Sequence, residues 1–171
     1  GTTSITWRRW SACGRPMAVD HLAAVESLAG DLEQAGFEPV LVGGMALVIL
    51  GSQRVTKDFD FLVAAPETAM PDLVRIMDRH RLRRMKAGDS RSRVLRFCNQ
   101  KTRFRVGLLL DHPLPARSVA LRAAKVRLKA RRIAVASPED LLRLKEIAHS
   151  ERQSASEAQD LEFLRKHLKK N

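Results

Sequence analysis

Residues 41–63 read LVGGMALVILGSQRVTKDFDFLV, and this stretch decides the fold that we predict. A β-rich apolar run is interrupted by Gly43 and Gly44, and Met45–Leu50 then has the length and composition of a short helix. A second apolar run, Asp58–Val63, has the composition of a strand. The stretch therefore predicts a strand, a glycine turn, a helix and a second strand.

The second strand carries two aspartates, Asp58 and Asp60, two positions apart. Because side chains alternate along a strand, both carboxylates share one face, and Phe59 and Phe61 share the other. Their Cα atoms lie roughly 6.5–7 Å apart by the rise of a strand. Neighbouring carboxylates repel unless a cation lies between them, and Mg²⁺ is usually held by one or two carboxylates and substrate phosphates. We therefore predict Asp58 and Asp60 as metal ligands and catalytic residues.

Residues around the aspartates predict a phosphate site. Backbone N–H groups are uncovered at Gly43 and Gly44, where the positive end of a helix dipole also lies, so a phosphate can dock there without a side chain. Arg54 and Lys57 flank the acids. Their charges either meet phosphate oxygens or balance the two aspartates, and the sequence leaves both interpretations open.

The whole pattern resembles the signature of the DNA polymerase β-like nucleotidyltransferase superfamily, through Gly43, Gly44, Gly51, Arg54, Thr56, Asp58 and Asp60. The order G-G-x-A and then R-x-T-x-D-x-D is similar to that of the AbiEii-type nucleotidyltransferases, toxins of toxin–antitoxin and abortive-infection systems. This resemblance implies an α+β fold, a polymerase β palm-like mixed sheet flanked by helices, with further helices at the C-terminus. It also implies Mg²⁺-dependent transfer of a nucleoside monophosphate from an NTP to a hydroxyl, and an antitoxin as a partner.

The same resemblance implies a third carboxylate on a neighbouring strand, and here the chain departs from the family. Phe104, Val106 and Leu108 alternate as a strand does, but Gly107 stands where the acid is expected. Asp111 has the same parity but lies roughly 13 Å farther along an extended strand, so it replaces the acid only in another register. Two interpretations follow: an active transferase, or a catalytically weakened member that binds nucleotide or nucleic acid.

A helix is predicted after Ala18, where apolar residues recur at helical spacing and Asp20 is a candidate N-cap.

The C-terminal part, 136–171, is predicted to be helical. Ser137 and Pro138, followed by an acid at the third helical position, are typical of a helix start. The phrase VASPEDLLRLKEIA resembles the same nucleotidyltransferases, which implies that Lys145 reaches a nucleotide phosphate.

A polar loop is expected over 151–156 and a final helix over 157–169. In that helix Asp160 resembles an acid of the family that is paired with an upstream base such as Arg152. We interpret Asp160 as mainly structural.

The chain is strongly basic, with a formal net charge of +12. Twelve Lys and Arg residues against two acids lie between Arg75 and Arg105, and seven with no acid lie between Arg117 and Arg132. Such concentration favours a polyanion site over a uniformly solvated surface. We therefore expect a nucleoside triphosphate and a nucleic acid, such as the end of a tRNA or another RNA, as partners. The sequence also leaves open an acceptor other than RNA, either a small hydroxylated molecule or a protein side chain.

At 171 residues the chain fits one domain, which we place at 17–171, with 1–16 as a flexible arm or a remnant of expression. No apolar run approaches the roughly 20 residues that span a bilayer, so we expect a cytoplasmic protein without a membrane partner. Cys13 and Cys98 lack metal-ligand spacing and are expected to be reduced.

Overall fold

A computed structural model describes residues 3–4, 20–86 and 94–171. Within these ranges the chain forms one sheet of eight strands. The strands are β1 (Thr3–Ser4), β2 (Val40–Val42), β3 (Asp58–Val63), β4 (Arg83–Arg84), β5 (Leu95–Cys98), β6 (Arg105–Leu110), β7 (Ala124–Arg127) and β8 (Arg132–Val135).

The order of strands across the sheet is β1-β7-β8-β2-β3-β6-β5-β4. The central strand β3 is antiparallel to β2 and parallel to β6. On either side, β8 is parallel to β2, and β5 is antiparallel to β6. The predicted mixed sheet is therefore confirmed.

Six α-helices flank the sheet in the described part of the chain. They are α1 (His21–Gln34), α2 (Gly43–Ile49), α3 (Met70–Arg79), α4 (Ala116–Arg122), α5 (Pro138–Arg152) and α6 (Ala155–Lys170), with a 3-10 turn at Glu67–Ala69 before α3. The last two confirm the predicted C-terminal helices. No helix among the described residues has the length and apolar character needed to cross a bilayer.

The alternation along β3 determines which face of this strand joins the core. Phe59 and Phe61 are buried, as are Leu28 on α1 and Met77 on α3. Burying a large apolar side chain contributes about 1.5–3 kcal/mol, so the phenyl rings fix the orientation of the strand. Asp58 and Asp60 alternate with these phenylalanines and consequently face the other side of the sheet.

Two predicted helix starts are confirmed by their capping hydrogen bonds. Asp20 accepts from the Ala23 N–H at 3.1 Å before α1, and Ser137 accepts from the Asp140 N–H at 3.2 Å before α5. These bonds satisfy backbone donors that no carbonyl of the helix can reach.

The predicted loop over 151–156 is wrong for most of its length. Helix α5 continues to Arg152, and Gln153 turns the chain in a left-handed conformation with φ of 51°. Ser154 then caps α6 by accepting from the Glu157 N–H at 3.3 Å. A polar stretch resembles a loop in sequence, but the exposed side of a helix is polar as well.

The predictions for the two cysteines and for the N-terminal arm concern residues that lie partly outside the described ranges. Cys98 is buried with a free thiol, whereas Cys13 lies outside the described ranges. The proposed arm, 1–16, lies outside them too, except for Thr3–Ser4, which pairs in parallel with β7. The boundary at residue 17 stays a prediction.

Candidate functional site

The two aspartates and the glycine turn lie together, as the sequence predicts. Asp58 and Asp60 share one face of β3, and Asp60 is in register with Val42 on β2 and Gly107 on β6. This position brings the Asp60 carboxylate against the turn, since a Cβ added to Gly43 would lie 2.6 Å from Asp60 Oδ2. The carboxylate therefore fills the space that a side chain at the turn would need.

Asp60 is the electrostatic centre of the site. Burial is the largest effect on this carboxyl and raises its pKa above the ordinary value. The positive charges of Arg96, Lys145 and Arg54 act in the opposite direction, and the negative charge of Asp58 raises the pKa. Asp60 Oδ1 is buried and accepts no hydrogen bond from any described residue. Because an unpaired buried oxygen costs free energy, this atom is suited to a cation or a donor brought by a ligand.

The strand register settles where the third acid is missing. Gly107 lies directly opposite Asp60, so the strand position next to this acid carries a glycine. A Cβ at Gly107 would overlap Asp60 Oδ1 and lie 3.0 Å from Val94 Cγ1. Asp111 is not a replacement, because it follows the end of β6 and its carboxylate accepts from the Ala116 N–H at 3.0 Å.

Two arginines that the sequence analysis did not assign to the site lie beside the acids. Arg96 on β5 is opposite Gly107, and its Nη1 is 3.9 Å from Asp58 Oδ2. Arg105 on β6 is opposite Asp58, with Nε 3.4 Å from Oδ1. Both separations are longer than an ordinary hydrogen bond, so these arginines balance Asp58 without enclosing it. Finding them requires the strand register, which composition does not supply.

A buried ion cluster joins the loop before β3 to helices α5 and α6. Asp160, only 3% exposed, forms ion pairs with Arg54 and with Lys145, whose Nζ is 2.9 Å from Asp160 Oδ2. Arg54 also packs on Gly44, where an added Cβ would lie 3.2 Å from the guanidinium carbon. Two of the three predicted phosphate-binding cations, Arg54 and Lys145, therefore lie at the site, whereas the third, Lys57, is exposed just before β3.

Asp160 pairs with upstream bases, as the resemblance implies, but these are Arg54 and Lys145 in place of the example Arg152. Asp160 thus contacts two of the three cations that we predict for phosphate binding. Its structural role is therefore linked to the positions of these two cations. The chain order hid this link, because Arg54 and Asp160 are 106 residues apart.

The residues present fit a divalent ion with two protein carboxylates. The described residues contain no group of three or more His, Cys, Asp or Glu arranged for a metal. Asp58 and Asp60 provide hard oxygen donors on one face, and Asp60 Oδ1 lacks a partner. An ion here would complete its shell with water and ligand phosphates, which is the usual behaviour of Mg²⁺.

The two basic clusters of the sequence differ in the fold. Within 117–132, acids that are distant in sequence pair with three of the seven cations: Arg122 with Asp140, Arg117 with Glu38 and Lys129 with Asp20. Within 75–105, three of the twelve cations have an acidic partner among the described residues: Arg75 lies near Asp72, and Arg96 and Arg105 share Asp58. The cluster at 75–105 consequently keeps more uncompensated charge.

Solved structures with the same architecture identify the fold. The chain matches the antibiotic-resistance factor ANT(2'')-Ia with a TM-score of 0.63 and 12% identity, over 86% of this chain and 83% of that chain. A proposed nucleotidyltransferase from Thermotoga maritima gives 0.55 and 15%, over 88% and 94%. A nucleotidyltransferase-like protein from Paracoccidioides brasiliensis gives 0.53 and 16%, over 84% and 74%. The chain has the nucleotidyltransferase fold.

At these identities the likeness shows the nucleotidyltransferase fold alone. No model of a known family matches the chain, and no curated protein matches it. The finer resemblance to the AbiEii-type proteins stays a prediction.

Proposed function

We propose that the chain binds Mg-NTP and transfers a nucleoside monophosphate to a hydroxyl of an RNA, such as the end of a tRNA. The observation that carries this proposal is the unpaired, buried Oδ1 of Asp60, held beside Asp58 and the Gly43 turn within a nucleotidyltransferase fold. A triphosphate with its metal supplies the positive charge that this oxygen lacks and phosphate oxygens that the nearby cations can contact.

Each residue of the site has a distinct task in this proposal. Asp58 and Asp60 would hold the divalent ion, which when bound neutralises charge at the phosphates. Arg54 and Lys145 would contact phosphate oxygens while Asp160 fixes their positions. Lys57, exposed before β3, is free to meet a phosphate or the acceptor from the solvent side.

The glycine at position 107 limits the transfer step. As the acceptor oxygen bonds to the α-phosphorus, the bond to the β-phosphate breaks and the hydroxyl proton must leave. A neighbouring carboxylate can accept such a proton, but Gly107 provides none. Water then takes the proton, so we expect slow transfer.

Binding and transfer are tested separately. Isothermal titration with each of the four NTPs and Mg²⁺ measures binding, and the absence of heat with all four contradicts the proposal. Incubation with labelled NTPs and total tRNA measures transfer. Label on tRNA is expected for the unmodified chain and not for Asp58→Ala or Asp60→Ala.

A second candidate function is a nucleotide- or nucleic-acid-binding module without transfer. The overlap between Asp60 and any Cβ at Gly107 favours it, because the site as packed has no room for a third acid. Salt-sensitive RNA binding without labelling would support the module and contradict transferase activity.

A toxin role with an antitoxin partner rests on the AbiEii-type resemblance. It predicts that expression of the chain arrests bacterial growth and that Asp60→Ala relieves the arrest. Equal arrest by the chain and the variant would contradict a toxic nucleotidyl transfer.

A further inference from the structure

We infer that the open face of β4, β5 and β6 next to the acids binds the phosphate backbone of the acceptor RNA. Three arginines on this face form what we call the arginine row, Arg83, Arg96 and Arg105. The inference rests on the proposed function and specifies which surface holds the acceptor, and by what chemistry.

The strand register places the ends of the arginine row on the face of the acids. Arg83 is opposite Cys98, Cys98 is opposite Arg105, and Arg105 is opposite Asp58. Residues directly opposite one another in a sheet point to the same side. Since neighbouring strands are about 4.8 Å apart, the row extends about 10 Å from Arg105 to the edge of the sheet.

Arg96, in the middle of the arginine row, is close to the acids because of Gly107. Arg96 is opposite Gly107, which is opposite Asp60. Because Gly107 has no side chain, nothing at this position separates Arg96 from the acids, and the charge of Arg96 acts on Asp60. The position that lacks the third acid therefore borders a cation.

The guanidinium groups of the row are available to a ligand. Arg96 and Arg105 are 42% and 44% exposed, and Arg83 is exposed at the edge strand. Asp58 is the acid within 4 Å of the row among the described residues, and its distances to Arg96 and Arg105 are those of loose pairs. Planar guanidinium groups donate to phosphate oxygens in bidentate fashion, so the row can bind successive phosphates.

The surface of the described residues, which do not include Trp7 and Trp10, favours contact with the backbone over contact with bases. In the described part, Phe37, Phe59, Phe61, Phe97 and Phe104 are buried. Phe163 is half-buried and packs against the core, and the chain has no tyrosine. Phosphate contacts position a nucleic acid without reading its bases, whereas recognition of single strands uses exposed aromatic rings. An acidic peptide would also meet the arginines, but the proposed acceptor, an RNA, presents a phosphate at every residue of its backbone.

The test compares two variants with the same loss of charge. Arg83→Gln/Arg105→Gln removes the ends of the row. Arg84→Gln/Arg117→Gln is the control, because Arg84 is opposite Phe97 and so faces the other side of β4, and Arg117 belongs to the second cluster. Fluorescence anisotropy with labelled tRNA is measured over a series of salt concentrations, after thermal melting shows that both variants fold.

The row variant is expected to bind tRNA at least tenfold more weakly, with the slope of log K against log salt smaller by about 1 for each phosphate that the row no longer neutralises. The control is expected to stay within about twofold of the unmodified chain, as for charges outside the binding surface. Equal weakening in both variants, or unchanged binding by the row variant, would overturn the inference.

Two further measurements separate this inference from the proposed function. Arg83→Gln alone, at the sheet edge and away from the acids, must also weaken tRNA binding and leave the heat of Mg-NTP binding unchanged. If Mg-NTP binding falls together with tRNA binding, the row serves the nucleotide and the inference is wrong. If NTPs give no heat while tRNA binding depends on the row, the inference stands and the proposed function fails.

Discussion

Gly107 and Asp60 face each other across β6 and β3, and the carboxylate occupies the space where a side chain at 107 would begin. This single contact links the geometry of the site to its chemistry. The missing Cβ removes a potential acid and at the same time leaves Asp60 Oδ1 buried without a partner. Asp60 and Gly107 therefore determine which charges the site contains and which buried oxygen lacks a partner.

Replacing Gly107 by Asp is expected to destabilise the chain in EDTA by about 1–3 kcal/mol, because the new Cβ overlaps Asp60 Oδ1. The added carboxylate also lies beside two others, which repel it. Mn²⁺ is expected to restore more stability to this variant than to the unmodified chain, as measured by urea unfolding. Gly107→Asn is the control of equal shape, and an equal response to Mn²⁺ in both variants would contradict the prediction.

The stability of the chain should depend on the ionisation of Asp60. Burial raises the pKa of Asp60 above the ordinary value of 3.8, so the native state holds this proton more tightly than the unfolded chain. The free energy of unfolding consequently falls as pH rises from that value through the raised pKa. The substitution Asp60→Asn removes this decrease in the free energy of unfolding, because an amide does not ionise.

We therefore expect Asp60→Asn to be more stable, relative to the unmodified chain, at pH 7 than at pH 4, as measured by urea unfolding in EDTA. Asp72→Asn, on the exposed surface of α3, is the control. The same pH dependence in both variants would show that Asp60 is not the group responsible.

At the scale of elements, Asp160 connects α6 to α5 and to the loop before β3. Asp160→Asn leaves Arg54 and Lys145 without their counter-charge, and removing one partner of a buried ion pair costs about 3–5 kcal/mol. Urea unfolding measures this loss. Glu162→Gln on the same helix breaks only an exposed pair with Lys166, so its cost is expected to be much smaller than that of Asp160→Asn. Equal costs would show that burial of Asp160 is unimportant.

The elements that the sequence predicts well are those with a local cause. Asp20 and Ser137 cap their helices, and Phe59 and Phe61 orient β3 through their burial. Other features depend on distant partners. Strand β4 consists of two arginines with no apolar alternation and forms by pairing with β5.

The site likewise has features with a local cause and features that depend on distant partners. The spacing of Asp58 and Asp60 and their proximity to the Gly43 turn could be predicted, because both depend on short stretches of chain. The positions of Arg96 and Arg105 could not, because they follow from the register of three strands. Register is set by the turns and by the whole buried face, which no single stretch contains.

At the scale of the whole molecule, the net charge of +12 could be read directly, but its distribution could not. Lys129 and Asp20 are 109 residues apart and form an ion pair, and Arg122 and Asp140 form another with distances of 2.8 and 2.9 Å. The fold thus pairs three of the seven cations of one basic cluster with distant acids, and the cluster at 75–105 keeps more uncompensated charge.

The extent of the folded unit is tested by removing residues 1–19. This truncation deletes β1, whose two residues pair with β7 at the edge of the sheet. A backbone hydrogen bond contributes about 0.5–1.5 kcal/mol net, so we expect only a small decrease in stability and one cooperative melting transition. Loss of cooperative melting would show that the folded unit begins before residue 20.

The contact between Asp60 and Gly107 also affects how this protein can change over generations. An acid introduced at 107 would meet Asp60 and Val94 before there is room for it. The substitution is therefore expected to lower stability when it is made alone. A second replacement that makes room has to accompany it, so the effect of a change at 107 is epistatic to its neighbours.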